Sequence, residues 1–234
     1  MAHRNRRRTL EEFLYDLFHP LEVRSRREQE EQQEREARAA REEYGKKMER
    51  RTFRELSKLT WRGTYYVFDD LPTLGAGNID HLIVGPEGIT LVETKGNPGE
   101  VEGVEGRDGM VHITVGKKPL HRNLRNQIRA QLWDVCKRAG MKTGPDDTDG
   151  MDWIVCFPAG TLGKGLPPAL RSHMATLDDL GMKVRAMRPG QQRMEDEMVH
   201  RVASAVSSIY ERPPSATPAQ RPPDIGPEGR NPGK

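Results

Sequence analysis

The residues best equipped for chemistry in this chain are Asp80, Glu93 and Lys95. They lie in the stretch 78–96, N-I-D-H-L-I-V-G-P-E-G-I-T-L-V-E-T-K-G. Two short apolar runs rich in branched residues, Leu82–Val84 and Ile89–Val92, flank the turn Gly85-Pro86-Glu87-Gly88. Each run predicts a strand, and the pair predicts a hairpin. Asp80 stands at the entry of the first strand, and Glu93 and Lys95 at the exit of the second. An antiparallel turn brings those ends together, and residues two apart on a strand share a face. One end of the hairpin therefore gathers two carboxylates and an ammonium. Carboxylates held that close repel unless a divalent cation neutralises them, and hard cations such as Mg²⁺ or Mn²⁺ take oxygen ligands. A lysine beside such an ion can orient a water and stabilise the charge that develops in phosphoryl transfer. Taken alone, Asp-x12-Glu-x-Lys is a weak pattern, because strand ends often carry solvated charges. The glycines around it leave room for a phosphate or a partner strand.

The run D-H-L-I-V-G-P-E-G-I-T-L-V-E-T-K-G-N-P-G resembles the core of the nuclease-related domain family, NERD, of the PD-(D/E)XK nuclease superfamily. The shared pattern is Ile-Asp-His-hydrophobic, a Gly-x-x-Gly turn, a hydrophobic strand ending in Glu-x-Lys, and a glycine-containing loop. Weaker similarity extends from about Met48 to Leu180. The resemblance implies a restriction-endonuclease-like α/β core, a central mixed sheet flanked by helices. It also implies a helical glutamate upstream, matched by Glu49, and a helical glutamine downstream, matched by Gln127. Met48 precedes Glu49 where the family usually has glycine. By this resemblance Asp80, Glu93 and the Thr94 carbonyl hold Mg²⁺ or Mn²⁺, Lys95 positions or helps deprotonate the attacking water, and Glu49 and Gln127 complete the site. The implied activity is hydrolysis of phosphodiester bonds in nucleic acid, DNA before RNA.

The elements that must position these residues follow from patterning. Residues 1–21 open with basic Arg4–Arg8, then Thr9-Leu10-Glu11-Glu12, a capping-box pattern. Leu10, Phe13, Leu14, Leu17 and Phe18 make one apolar stripe, which Pro20 ends. This short amphipathic helix suits a membrane surface, a protein partner, self-association or its own domain. Residues 22–47 are rich in Glu, Arg and Gln, lack heptad apolar positions and carry opposite charges at i,i+4, so they read as a charged helical linker. From Met48, the residues Phe53, Leu56 and Leu59 form a face that docks on a sheet.

Strands are expected at Thr64–Phe68, Asn78–Val84, Ile89–Lys95, Glu100–Val104, Met110–Val115 and Trp153–Phe157, with Asp108-Gly109 turning the second hairpin. Helices are expected at Asn123–Arg138, Leu177–Leu180 and Gln191–Tyr210. The last has Met194, Met198, Val202, Val206 and Ile209 as its inner stripe. The order gives an α/β sandwich around a mixed sheet in one domain, 48–211. Residues 212–234, rich in Pro and Gly, read as a disordered tail.

Other candidates are weaker. Gly160–Gly165 lacks the spacing of a phosphate loop and reads as a turn. His81 points away from Asp80 on an alternating strand and suits packing or support of the site. Lys117, Lys118, His121, Arg122, Arg125 and Arg129 form the densest basic patch of the core. They surround the start of the helix carrying Gln127, as either a phosphate track or a solvated face. Gln127 can bridge a water or a phosphate oxygen without adding charge, and Gln131 lies one turn on.

Composition sets outer bounds. The chain has 234 residues, 34% hydrophobic and 31% charged, as expected of a modest core with solvated extensions. The net charge of +3 permits nucleic-acid binding without demonstrating it. Cys136 and Cys156 match no zinc spacing and read as core thiols in a reducing compartment. No apolar stretch reaches the length of a membrane span and no secretory leader is expected, which makes the cytoplasm the default location. The rival readings are a nucleic-acid-binding or scaffold module that keeps the fold without turnover, and an interaction protein working through residues 1–47. The complete Asp…Glu-x-Lys set speaks against the first.

Overall fold

The computed structural model describes residues 18–61, 63–75, 77–105, 111–120, 124–139, 151–187 and 193–217. The stripe Leu10, Phe13, Leu14 and Leu17, the Asp108-Gly109 turn, Arg122 and the tail from residue 218 lie outside them. By its internal contacts the chain divides into two units, Met1–Lys46 and Lys47–Lys234.

Helix α1 spans Pro20–Ser57, 38 residues. Proline suits the first turn, where its missing N–H would have no partner. The Glu, Arg, Gln and Ala run that follows has high helix propensity. Pairs such as Glu42–Lys46 at 3.1 Å and Gln32–Glu36 at 2.7 Å add i,i+4 support. Within the second unit the helix changes character: Met48, Thr52 and Leu56 are buried at four-residue spacing, and Glu49 is carried on the same turn.

The remaining elements are strands β1 Tyr66–Leu71, β2 Ile79–Gly85, β3 Gly88–Thr94, β4 Gly99–Glu105, β5 Val111–Val115, β6 Lys118–Pro119, β7 Met151–Cys156, β8 Gly160–Leu162 and β9 Met174–Ala175, and helices α2 Leu124–Arg138, α3 Pro168–Arg171, α4 Leu177–Ala186 and α5 Asp196–Tyr210. The main sheet has the order β1-β2-β3-β7-β9. Its first three strands are antiparallel, and β7 and β9 add in parallel. Alternation divides its side chains between two cores. Phe68, Leu82, Leu91 and Val155 pack with Ile128, Leu132 and Val135 of α2 and Val199, Ala203 and Val206 of α5. Val67, Ile83, Val92 and Ile154 pack with Leu56 of α1 and Leu180 and Val184 of α4. Helices thus cover both faces of a mixed sheet, the expected α/β class. Cys136 and Cys156 are free and buried. No helix among the described residues is long and apolar enough to cross a membrane.

Five details differ from expectation. The second hairpin does not join the main sheet but forms its own, β6-β5-β4-β8. Gly160–Leu162, expected as a turn, is strand β8, parallel to β4. Glycine serves close approach there, since a Cβ on Gly160 would lie 3.1 Å from Gly99 O. Helix α4 runs through Gly181 to Ala186 because Val184, one turn beyond Leu180, is buried as well. The inner stripe of α5 is centred on Val199, Ala203, Val206 and Tyr210; of the expected positions Val206 is buried, Met194, Val202 and Ile209 pack partly buried against the same core, and Met198 is exposed. Finally, the tail expected from residue 212 begins with placed chain: Ala216 exchanges backbone hydrogen bonds with Val67 on the edge strand β1, at 2.9 and 3.1 Å.

Candidate active site

The β2–β3 pairing runs from Gly85↔Gly88 to His81↔Val92. One step further, Asp80 stands opposite Glu93, with both side chains on the face covered by α2. Asp80 Oδ2 accepts the Thr94 N–H at 2.7 Å. Glu93 is buried, and its Oε1 accepts from Lys95 Nζ at 2.5 Å and from Gln127 Nε2 at 2.8 Å. Gln131 donates to the Asn78 carbonyl at 2.8 Å and reaches Glu93 Oε2 at 3.5 Å. Strand pairing therefore joins Asp80 to Glu93, period-2 alternation adds Lys95, and helical spacing of four adds Gln127 and Gln131.

Burial dominates the electrostatics. It pushes the Asp80 carboxyl up to about 8, Glu93 and Glu49 add to the rise, and the Thr94 N–H and Lys95 offset part of it. Glu49 is half-buried, and its carboxyl is also raised, first by burial. His81 opposes that rise, while Asp69, Asp70 and Glu93 add to it. Glu49 thus belongs to the same electrostatic cluster as the carboxylate pair.

His81 occupies the other face of β2, as expected. It is wholly buried and stacks on Phe53 of α1 with ring centres 6.3 Å apart. Its Nδ1 lies 2.8 Å from Asp69 Oδ1. The approach lacks hydrogen-bond alignment, and neither ring nitrogen has a hydrogen-bond partner.

The basic patch is less unified. Lys117 and Lys118 stand exposed at the β5–β6 turn of the second sheet, with Lys117 at φ 65°. Among the described residues no hydrogen bond or ion pair joins either lysine to Asp80 or Glu93. Arg129 is half-buried on α2. Arg122, His121 and the Arg125 side chain lie outside what is described.

Three participants were not singled out from sequence. Asp69 approaches His81 from the neighbouring strand, at a register position no local pattern reveals. Asp134 is buried on α2, where it accepts Leu74 N–H at 3.2 Å and pairs with Arg138 at 2.8 Å. Asn78 contributes its carbonyl to Gln131.

The family model described as the nuclease-related domain, NERD, matches residues 44–156. That span holds Glu49, Asp80, Glu93, Lys95 and Gln127. No curated protein and no solved structure matches the chain.

Proposed function

Residues 44–156 belong to the nuclease-related domain family, and from that premise we propose that the chain hydrolyses phosphodiester bonds in nucleic acid, DNA before RNA, with a divalent cation. The observation that carries this reading is the desolvated pair Asp80 and Glu93, set opposite each other with Lys95 beside them.

The donor set fits a hard cation. Two carboxylates with mutually unfavourable charge supply anionic oxygens, and the Thr94 carbonyl supplies a neutral one. Among the described residues no group of three or more His, Cys, Asp or Glu is arranged to hold a metal, so backbone and water oxygens would complete the shell. Bound there, Mg²⁺ or Mn²⁺ would neutralise the carboxylates and polarise the phosphoryl oxygens. Lys95 places a positive charge where the phosphate gains negative charge, and orients the attacking water. Gln127 fixes Glu93 through its amide nitrogen, which leaves the amide oxygen to accept from a water. Glu49, with its raised proton affinity, adds a third acidic group at the edge of the pair. Lys117, Lys118, Arg122, Arg125 and Arg129 would attract the phosphate backbone in a salt-dependent way. Residues 1–47 are proposed as an accessory segment for a protein partner or self-association, attached to a 48–211 core.

One observation favours a module that binds without turnover: Glu93 Oε1 is already met by both Lys95 and Gln127. Calorimetric titration with Mn²⁺ separates the readings. Wild type should bind one ion, and Asp80→Asn and Glu93→Gln should each weaken binding strongly. An equal response in all three proteins would remove the carboxylate pair from the proposal.

A further inference from the structure

The candidate site is served from both faces of the main sheet. Asp80 and Glu93 stand on the face covered by α2, whereas Glu49 is carried by α1, which packs on the other face. His81, next to Asp80 in the chain, also lies on the α1 face. Its ring is wholly buried and stacks on Phe53, with centres 6.3 Å apart. Phe53 follows Glu49 by four residues, so the two share one side of α1. Asp69 stands directly opposite His81 in the β1–β2 register, and its Oδ1 lies 2.8 Å from His81 Nδ1. Neither ring nitrogen has an aligned hydrogen-bond partner. A buried imidazole without hydrogen bonds is costly, so packing alone does not account for a histidine here.

Two carboxyl groups interact with the ring. Asp69 approaches Nδ1 from the edge strand β1. The other is Glu49. Burial raises its proton affinity, and among charged neighbours His81 acts on it most strongly, against that rise, ahead of Asp69, Asp70 and Glu93, which add to it. Glu49 in turn acts on Asp80. A chain of charged neighbours thus runs from the sheet edge to the carboxylate pair, through Asp69, His81 and Glu49. The imidazole is rigid, so an acid that fixes one ring nitrogen also fixes the direction of the other.

We propose that Asp69 and His81 are positioning residues: Asp69 fixes the His81 ring from the edge strand, and the ring holds the Glu49 carboxylate beside Asp80 and Glu93. This rests on the cation site proposed above. Both residues act through Glu49, and neither contacts the cation. Groups one step behind the ligands of a metal set the direction of the groups in front of them, and their loss typically weakens the metal about 10- to 100-fold.

The test is calorimetric titration of the full chain with Mn²⁺, wild type beside Asp69→Ala, Asp69→Asn, Glu49→Gln, and Asp69→Ala combined with Glu49→Gln. The Asp69 side chain is 41% exposed and Glu49 is half-buried, so these changes should leave the chain folded, which melts in chelator check. Asp69→Ala and Glu49→Gln should each weaken Mn²⁺ binding about tenfold, the lower end of that range. Combined, they should weaken it by the same factor of about ten and not by about a hundred, because Asp69 acts through Glu49. Asp69→Asn loses the charge but keeps an oxygen that can accept from the ring, so it should restore most of the affinity lost in Asp69→Ala. Wild-type affinity in Asp69→Ala or in Glu49→Gln, losses that multiply in the combined variant, or equal losses in Asp69→Ala and Asp69→Asn would each overturn the positioning role. The cation site stands without it if Asp80→Asn still weakens Mn²⁺ binding. If wild type binds no Mn²⁺, the cation site fails and the positioning role fails with it.

Discussion

Asp80 sits where its own charge is unwelcome, and that has a consequence for stability. An aspartate ordinarily titrates near 3.8, whereas burial and Glu93 push this carboxyl up to about 8 in the fold. Between those values the native state keeps a proton that the unfolded chain has released. In chelator, the Asp80 contribution therefore lowers stability progressively as pH rises from about 4 to about 8, and is level below that window. Asp80→Asn should remove this slope, melt higher than wild type at pH 8 in EDTA, and lose the stabilisation that Mg²⁺ gives wild type. Thermal melts across pH, with and without the ion, measure both effects. Lys95 makes a different kind of contribution. Lys95→Ala leaves both carboxylates in place, so Mn²⁺ binding should survive while single-turnover cleavage falls about 10²-fold or more. Lys95→Arg keeps the charge but is bulkier and deprotonates far less readily, so it should restore nucleic-acid affinity better than rate. Unchanged cleavage in Lys95→Ala would take the lysine out of the chemistry.

Helix α2 is the element on which the site depends most, because one face of it supports Glu93, Asn78 and Leu74 in turn. Removing Asp134 would leave the Leu74 N–H and the Arg138 guanidinium without their shared acceptor. Asp134→Ala should cost about 1–3 kcal/mol, the range for losing a buried hydrogen-bonding partner. Trp133→Ala, at a 42% exposed neighbour, should cost less. Urea midpoints at equal slope compare the two, and equal loss would contradict the bracing role. The apolar side of this helix was legible in sequence, since Leu124, Ile128, Leu132 and Val135 repeat at helical spacing and all are buried. So was the β2–β3 hairpin, whose short turn sets the register that faces Asp80 with Glu93. Asp134 was not legible, because its partner Leu74 lies 60 residues away in the chain. Strand β8 was hidden for the same reason, its pairing with β4 being non-local. The stripe of α5 was legible in part: Val206 is buried and Met194, Val202 and Ile209 flank it, but packing against the sheet centres the helix on Val199 and Ala203 and leaves Met198 exposed.

At the scale of the molecule, both buried clusters and the residues packed against them lie between Phe53 and Ala216. A chain spanning 47–217 should therefore unfold cooperatively without the rest of the polypeptide. Ending it at 211 removes the Ala216 bridge from β1 and should lower the melting temperature relative to 47–217, because Val67 loses both backbone partners. An aggregated or non-cooperative 47–217 chain would show that an earlier segment belongs to the core. The full chain carries a net charge of only +3, so any nucleic-acid affinity must come from local patches and should fall steeply with salt. The most direct measurement is incubation of purified full chain with single- and double-stranded DNA and RNA in Mg²⁺, Mn²⁺ or EDTA, beside Asp80→Asn and Glu93→Gln. The expected result is metal-dependent cleavage by wild type, absent in EDTA and reduced at least ~10²-fold in both variants. Cleavage that persists in EDTA or in the variants would contradict the assignment of the site, and no cleavage of any nucleic acid by wild type would contradict the assignment of the activity.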